Sequence, residues 1–150
     1  MKLTRITPPR KEDEMLDNAH QIVAGVVLLT VIGIAYGGTF LLRVVQHGVP
    51  TNDLQKSFFR AGHAHAGVLV ILGLLVMTLT QLNDVGQPWS TLSFGVLLAA
   101  IFMPAGFFGS VSGRDPQKPN GLIALLWVGA ACLGVGLLAA GIGLIAAGTN

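Results

Sequence analysis

Apolar residues in this chain fall into four long runs, at 22–45, 61–82, 92–111 and 122–147. Each is about twenty residues or longer, enough for a helix to cross a ~30 Å hydrocarbon core. Period-two alternation is absent, which argues against strands. Lipid offers no hydrogen bonds to an exposed backbone, so each run is expected to be helical. The breaks "RVVQHGVPTNDLQKSFFR", "NDVGQPWS" and "SGRDPQKPN" carry the Gly, Pro, Asn and Asp of turns. Short connections make successive helices antiparallel neighbours. The expected fold is an all-α integral membrane protein, an up-down bundle of four transmembrane helices with both termini on one side. Residues 1–21 read as a polar extension, partly helical, ahead of the transmembrane domain at 22–147. Pro8 and Pro9 suit a first turn there, and Glu12, Asp13 and Glu14 suit the positive end of a helix dipole.

Composition agrees with this pattern. Of 150 residues, 52% are hydrophobic and only 11% charged, and the mean hydropathy of +0.69 is too high for an ordinary soluble domain. A net charge of +2 with no basic patch gives nucleic acid no footing. Cys132 stands alone in an apolar run and reads as a small buried hydrophobe. The polar first twenty residues do not resemble a cleavable signal, whose apolar core would come earlier. Lys2, Arg5, Arg10 and Lys11 on the N-terminal side nearly balance Arg43, Lys56, Arg60, Arg114 and Lys118 on the other. The weight of the first helix favours a cytoplasmic N-terminus. The expected location is a bacterial cytoplasmic membrane, with lipid as the first partner.

Glycine is concentrated inside the runs. Gly129, Gly136 and Gly143 recur every seven residues, and so do Gly134, Gly141 and Gly148; Gly33 and Gly37 form a G-x-x-x-G pair. Small residues let helix backbones approach closely where hydrophobic drive between helices is weak. One groove is expected to serve the bundle. The other leaves room for a membrane-protein partner or a homo-oligomer, including a channel built on the last helix.

Transporters and pumps carry ionisable groups near the bilayer midplane. The third and fourth runs have none in their middles, and no polar relay crosses the membrane. Polar groups gather instead at one face: His47, Asp53, Lys56, Arg60, His63, His65, Ser110, Ser112, Arg114 and Asp115. His20 lies at the other face, near Asp17, as an interfacial residue. His63 and His65 are about 200° apart around a helix and cannot ligate one metal from it. His65 is expected to face the bundle. His63, on the Arg60 face, is expected to meet loops, headgroups or a partner.

The stretch "AHAGVLVIL", residues 64–72, resembles the second helix of haem-copper oxidase subunit I, where an A-H-A-x-V-M-I-F type run carries an axial ligand of the low-spin haem. The resemblance implies that His65 is the matching ligand. The third and fourth runs lack the second haem histidine and the copper histidines, which argues against oxygen reduction by this chain alone. The wider pattern "FFRAGHAHAGVLVIL … MPAGFF … PNGLIAL" is similar to small four-helix bacterial membrane proteins, which supports the architecture only. Met103, at a depth comparable to that of His65, offers Met/His ligation of a b-type haem, with Pro104 opening space and Phe107 and Phe108 lining it. A transition-metal site from His47, Asp53 and one of His63 or His65 is the other cofactor expectation. The best functional expectation is an accessory or assembly subunit of a larger, respiratory or other membrane complex. A haem- or metal-binding redox protein and a homo-oligomeric channel are the rivals.

Overall fold

The structure, a computed structural model, describes the backbone of residues 11–149 and side chains from residue 18 on. The expected Pro8–Pro9 helix start and the cations Lys2, Arg5 and Arg10 lie outside the described residues. The elements are α1 (Lys11–Val45), α2 (Asp53–Leu82), the short α3 (Trp89–Ser93), α4 (Gly95–Ser110), a 3₁₀ turn (Gly121–Ile123) and α5 (Ala124–Gly148). Among the described residues four helical stretches are long and apolar enough to cross a membrane: Asn18–Val45, Asp53–Leu82, Trp89–Ser110 and Gly121–Gly148.

Two boundaries differ from the hydropathy reading. α2 begins at Asp53 rather than at 61, because Asn52 and Gln55 form a reciprocal capping box. The Asn52 side chain accepts from the Gln55 N–H at 2.8 Å, and Gln55 Oε1 accepts from the Asn52 N–H at 3.2 Å. A polar first turn of this kind carries no hydropathy signal. The third run is not one uninterrupted helix: it breaks at Phe94, between α3 and α4. Gly95 then brings the chain against α5, where a Cβ would lie 2.5 Å from the Cys132 carbonyl oxygen and 3.2 Å from Gly136 Cα.

The core lies among α2, α4 and α5. Leu69, Ala99 and Met103 form one buried cluster, and Val76, Val96 and Ala140 another. α4 runs antiparallel to α5: Gly109 meets Leu122, Gly106 meets Leu126, Met103 meets Gly129 and Val96 meets Gly136. It runs antiparallel to α2 as well, since Gly62 meets Phe107 and Phe108 while Gly73 meets Leu97. α1 is a flank rather than an equal fourth member. Its main neighbour is α2, and none of its most apolar stretch is buried within the chain. Leu29, Ile32 and Tyr36 are 68%, 68% and 74% exposed, an apolar face for lipid. α1 is held near its C-terminal end, where Val44 is 1% exposed and the Phe40 ring meets Phe59 edge-on at 5.4 Å.

Polar groups inside the spans are satisfied locally. The hydroxyls of Thr30, Thr39, Thr78 and Thr80 donate to carbonyls of their own helices at 2.6–3.0 Å. Among the described residues no buried side-chain nitrogen or oxygen lacks a partner.

Candidate functional site

The polar end of the molecule is organised by three amides. Gln55 is 6% exposed, and its Nε2 donates to the carbonyls of Val111 and Gly113, each at 3.1 Å. The Asn52 amide donates to Asp115 Oδ1 at 2.9 Å and to the Pro116 carbonyl at 2.7 Å. Two side chains from the start of α2 thereby clasp the loop that follows α4. Asn120 closes the other side. It accepts from the Leu122 N–H at 2.8 Å and donates to the Gly109 carbonyl at 3.0 Å, joining the end of α4 to the 3₁₀ turn that leads into α5. The loop needs unusual backbone: Gly113 has φ +121° and Asp115 φ +53°. Aspartate tolerates the left-handed region because its short side chain hydrogen-bonds locally, and here Asn52 supplies the partner.

Just inside this clasp lies an aromatic layer. Phe58 meets Phe107 edge-on at 5.7 Å, and Phe59 stacks on Phe108 at 5.6 Å. Gly62 makes the layer possible, since a Cβ there would come within 3.0 Å of both Phe107 and Phe108. Phe40 extends the layer to α1. Both histidines of "AGHAHAG" border it. The His65 ring lies 4.9 Å from that of Phe107, and its Nδ1 sits 2.8 Å from the Ala61 carbonyl, one turn back. A carbonyl can only accept, so Nδ1 is the donor in this contact, and in the neutral ring the lone pair is on Nε2. His63 turns the other way. Its ring fits the notch left by Gly37 and Gly38 of α1, 3.6–3.8 Å from where their Cβ atoms would be.

No protein family, curated protein or solved structure matches this chain. Geometry alone therefore assigns roles to the expected residues. His63 is half-buried, and the absence of side chains at Gly37 and Gly38 lets its ring sit in the contact between α1 and α2. The metal set is dispersed. Among the described residues no three His, Cys, Asp or Glu side chains stand close enough together to hold an ion. His47 takes a left-handed conformation, φ +60°, that ends α1, with Gly48 N–H donating to Arg43 O at 2.9 Å. Asp53, fully exposed, is paired with Lys56 at 3.4 Å. His63 faces α1 and His65 faces α4.

Met103 is 8% exposed in the cluster with Leu69, and its Cγ lies against Gly129 of α5. Leu69 is one turn beyond His65 on α2. Pro104 is buried inside α4. Arg60 and Arg114 are exposed at the polar end. At the opposite end His20 lies 5.5 Å from the Phe94 ring. The first glycine stripe is filled: a Cβ on Gly129 would lie 2.5 Å from Met103, one on Gly136 2.6 Å from Val96 N, and one on Gly143 2.6 Å from Val85. The second stripe, Gly134, Gly141 and Gly148, has nothing within 4 Å. Hydropathy and motif spacing pick out Phe107 and Phe108 but not Asn52, Gln55, Asn120, Phe58 or Phe59. The N-x-x-Q spacing before an apolar run was the available signal for Asn52 and Gln55.

Proposed function

We propose that this chain is an accessory or assembly subunit of a larger membrane complex in a bacterial cytoplasmic membrane, seated in it through helix faces that its own fold leaves open. The observation that carries this reading is the contrast between the two glycine stripes of α5, one filled by α4 and its flanks and the other open along its length. Small residues on a lipid-facing helix give up side-chain contact with the acyl chains and gain close backbone contact with another helix. The self-satisfied threonines and the absence of unpartnered buried polar atoms among the described residues fit a packing role better than a transport path. Substituting Gly141→Leu is expected to release co-purifying membrane subunits in mild detergent while thermal stability stays unchanged. A chain that runs as a lone monomer in native mass spectrometry, with no partner before or after the substitution, overturns the reading.

One observation favours a second reading, a haem- or metal-binding redox protein. The Nδ1 contact of His65 with Ala61 O leaves Nε2 as the nitrogen available to a ligand in the neutral ring, the arrangement in which ligating histidines are held by their outer hydrogen bond. An absorption spectrum of the purified protein tests it. A Soret band lost in His65→Ala supports haem, and a colourless, metal-free protein removes it.

A further inference from the structure

A cleft of about 640 Å³ opens at the polar end, between residues 50–52 and the loop at 113–115. Gln55, buried, lines it together with the exposed Arg114 and Asp115. We propose that this cleft binds a phosphoethanolamine group, with the phosphate on Arg114 and the ammonium on Asp115.

Four observations support this. First, the cleft is preformed. The four hydrogen bonds from Asn52 and Gln55 to Val111, Gly113, Asp115 and Pro116 fix its far wall to α2. The ligand therefore does not have to order the loop.

Second, Arg114 is free to bind. Among the described residues it makes no hydrogen bond or ion pair, whereas the other lining polar side chains are engaged. A guanidinium offers a planar fork of donors that matches phosphate oxygens two at a time.

Third, the neighbouring charge is of opposite sign. Asp115 gives one carboxylate oxygen to Asn52 and keeps Oδ2 for a cation. A purely anionic ligand would meet this carboxylate unfavourably, while a zwitterion satisfies both side chains.

Fourth, the cleft lies at the end of α2 beyond the aromatic layer. Asp53 lies about 7 Å along the α2 axis from Phe58, where the aromatic layer begins. That is about the thickness of one headgroup layer. The same chemistry also describes soluble phosphoethanolamine, and the source is decided by experiment.

The test uses the full chain in detergent micelles and native mass spectrometry, with phosphatidylethanolamine and phosphatidylglycerol as lipid probes. Soluble phosphoethanolamine and inorganic phosphate serve as competitors. Wild-type protein is expected to retain phosphatidylethanolamine in preference to phosphatidylglycerol. Arg114→Gln is expected to weaken retention about ten- to a hundredfold, the range for losing a hydrogen bond to a charged group. Asp115→Asn keeps an acceptor for Asn52 and is expected to abolish the preference between the two lipids. Lys56→Gln, outside the cleft, is expected to change nothing. Full displacement by equimolar soluble phosphoethanolamine supports the site and assigns it to a soluble ligand. Equal retention of both lipids by the wild type, or unchanged retention in Arg114→Gln, overturns the proposal. Arg114 is exposed, so its substitution leaves the fold intact; an unshifted melting curve verifies this.

Discussion

At the scale of single residues, the side chains that hold the polar end are neutral amides. Gln55 is the clearest case. It is 6% exposed and donates to the carbonyls of Val111 and Gly113. Gln55→Leu removes the donor from the buried Val111 carbonyl and from the more exposed Gly113 carbonyl, and is expected to cost about 1–3 kcal/mol. Gln55→Glu separates hydrogen bonding from volume. It preserves shape but turns the donor into a third acceptor facing two carbonyls, so its cost is expected to exceed that of leucine. Thermal unfolding in detergent, followed by circular dichroism, measures both; a glutamate variant as stable as wild type would refute the clasp. This role was only half legible in the sequence. The spacing N-x-x-Q marks a helix start, but nothing local says that Gln55 reaches Val111, 56 positions away. The histidines show the same limit. Their separation around the helix follows from spacing alone, whereas the identity of each neighbour depends on which helix lies there. For His63 that neighbour is the glycine pair of α1. For His47 the surprise is conformational, since a histidine rather than the adjacent Gly48 takes the left-handed position that ends α1.

At the scale of elements, the two seven-residue glycine series of α5 are indistinguishable as patterns and opposite in environment. Periodicity reports that residues share a face; it does not report what occupies that face. Gly136→Ala would set a methyl 2.6 Å from the Val96 backbone nitrogen, an atom that cannot swing aside. The expected cost is about 1–3 kcal/mol, from shifting α4 against α5. Gly141→Ala meets nothing within 4 Å and gains helix propensity. It is expected to be neutral or to stabilise by up to about 1 kcal/mol. Unfolding midpoints of the two variants in one detergent check the contrast, and a reversal of their order would refute the assignment of faces. The spans themselves were legible because the requirement for internal backbone hydrogen bonding in lipid leaves little alternative to a helix. Their ends were less so. The capped start of α2 and the break at Phe94 depend on single side chains and on close approach to α5, and hydropathy averages over both.

At the scale of the whole molecule, α2, α4 and α5 make the core, and α1 is attached to it mainly through a patch near its C-terminal end, with the His20–Phe94 ring contact at the other end. Hydropathy ranks α1 with the other spans because lipid-facing and core-facing residues are equally apolar, so the sequence cannot say which helix is peripheral. The patch consists of the Gly37–Gly38 notch that receives His63, the Phe40–Phe59 ring contact and buried Val44. α1 contributes no residue to either buried cluster among α2, α4 and α5. Filling the notch should therefore detach α1 without unfolding the rest. In a Cys132→Ser background, cysteines replacing Phe40 and Phe59 are expected to join readily with a short bismaleimide. Adding Gly38→Leu pushes the His63 ring out of its seat and is expected to reduce that cross-link several-fold. A second pair replacing Ala100 and Leu133, which pack against the same core cluster from α4 and α5, is expected to cross-link as before. Loss of both cross-links together would mean that α1 is integral to a single cooperative bundle. Retention of both would mean that the His63 seat does not hold α1. The selective loss is the result expected of a three-helix core with a detachable flank. It would leave α1 as the element free to exchange its contact with α2 for contact with a neighbouring subunit.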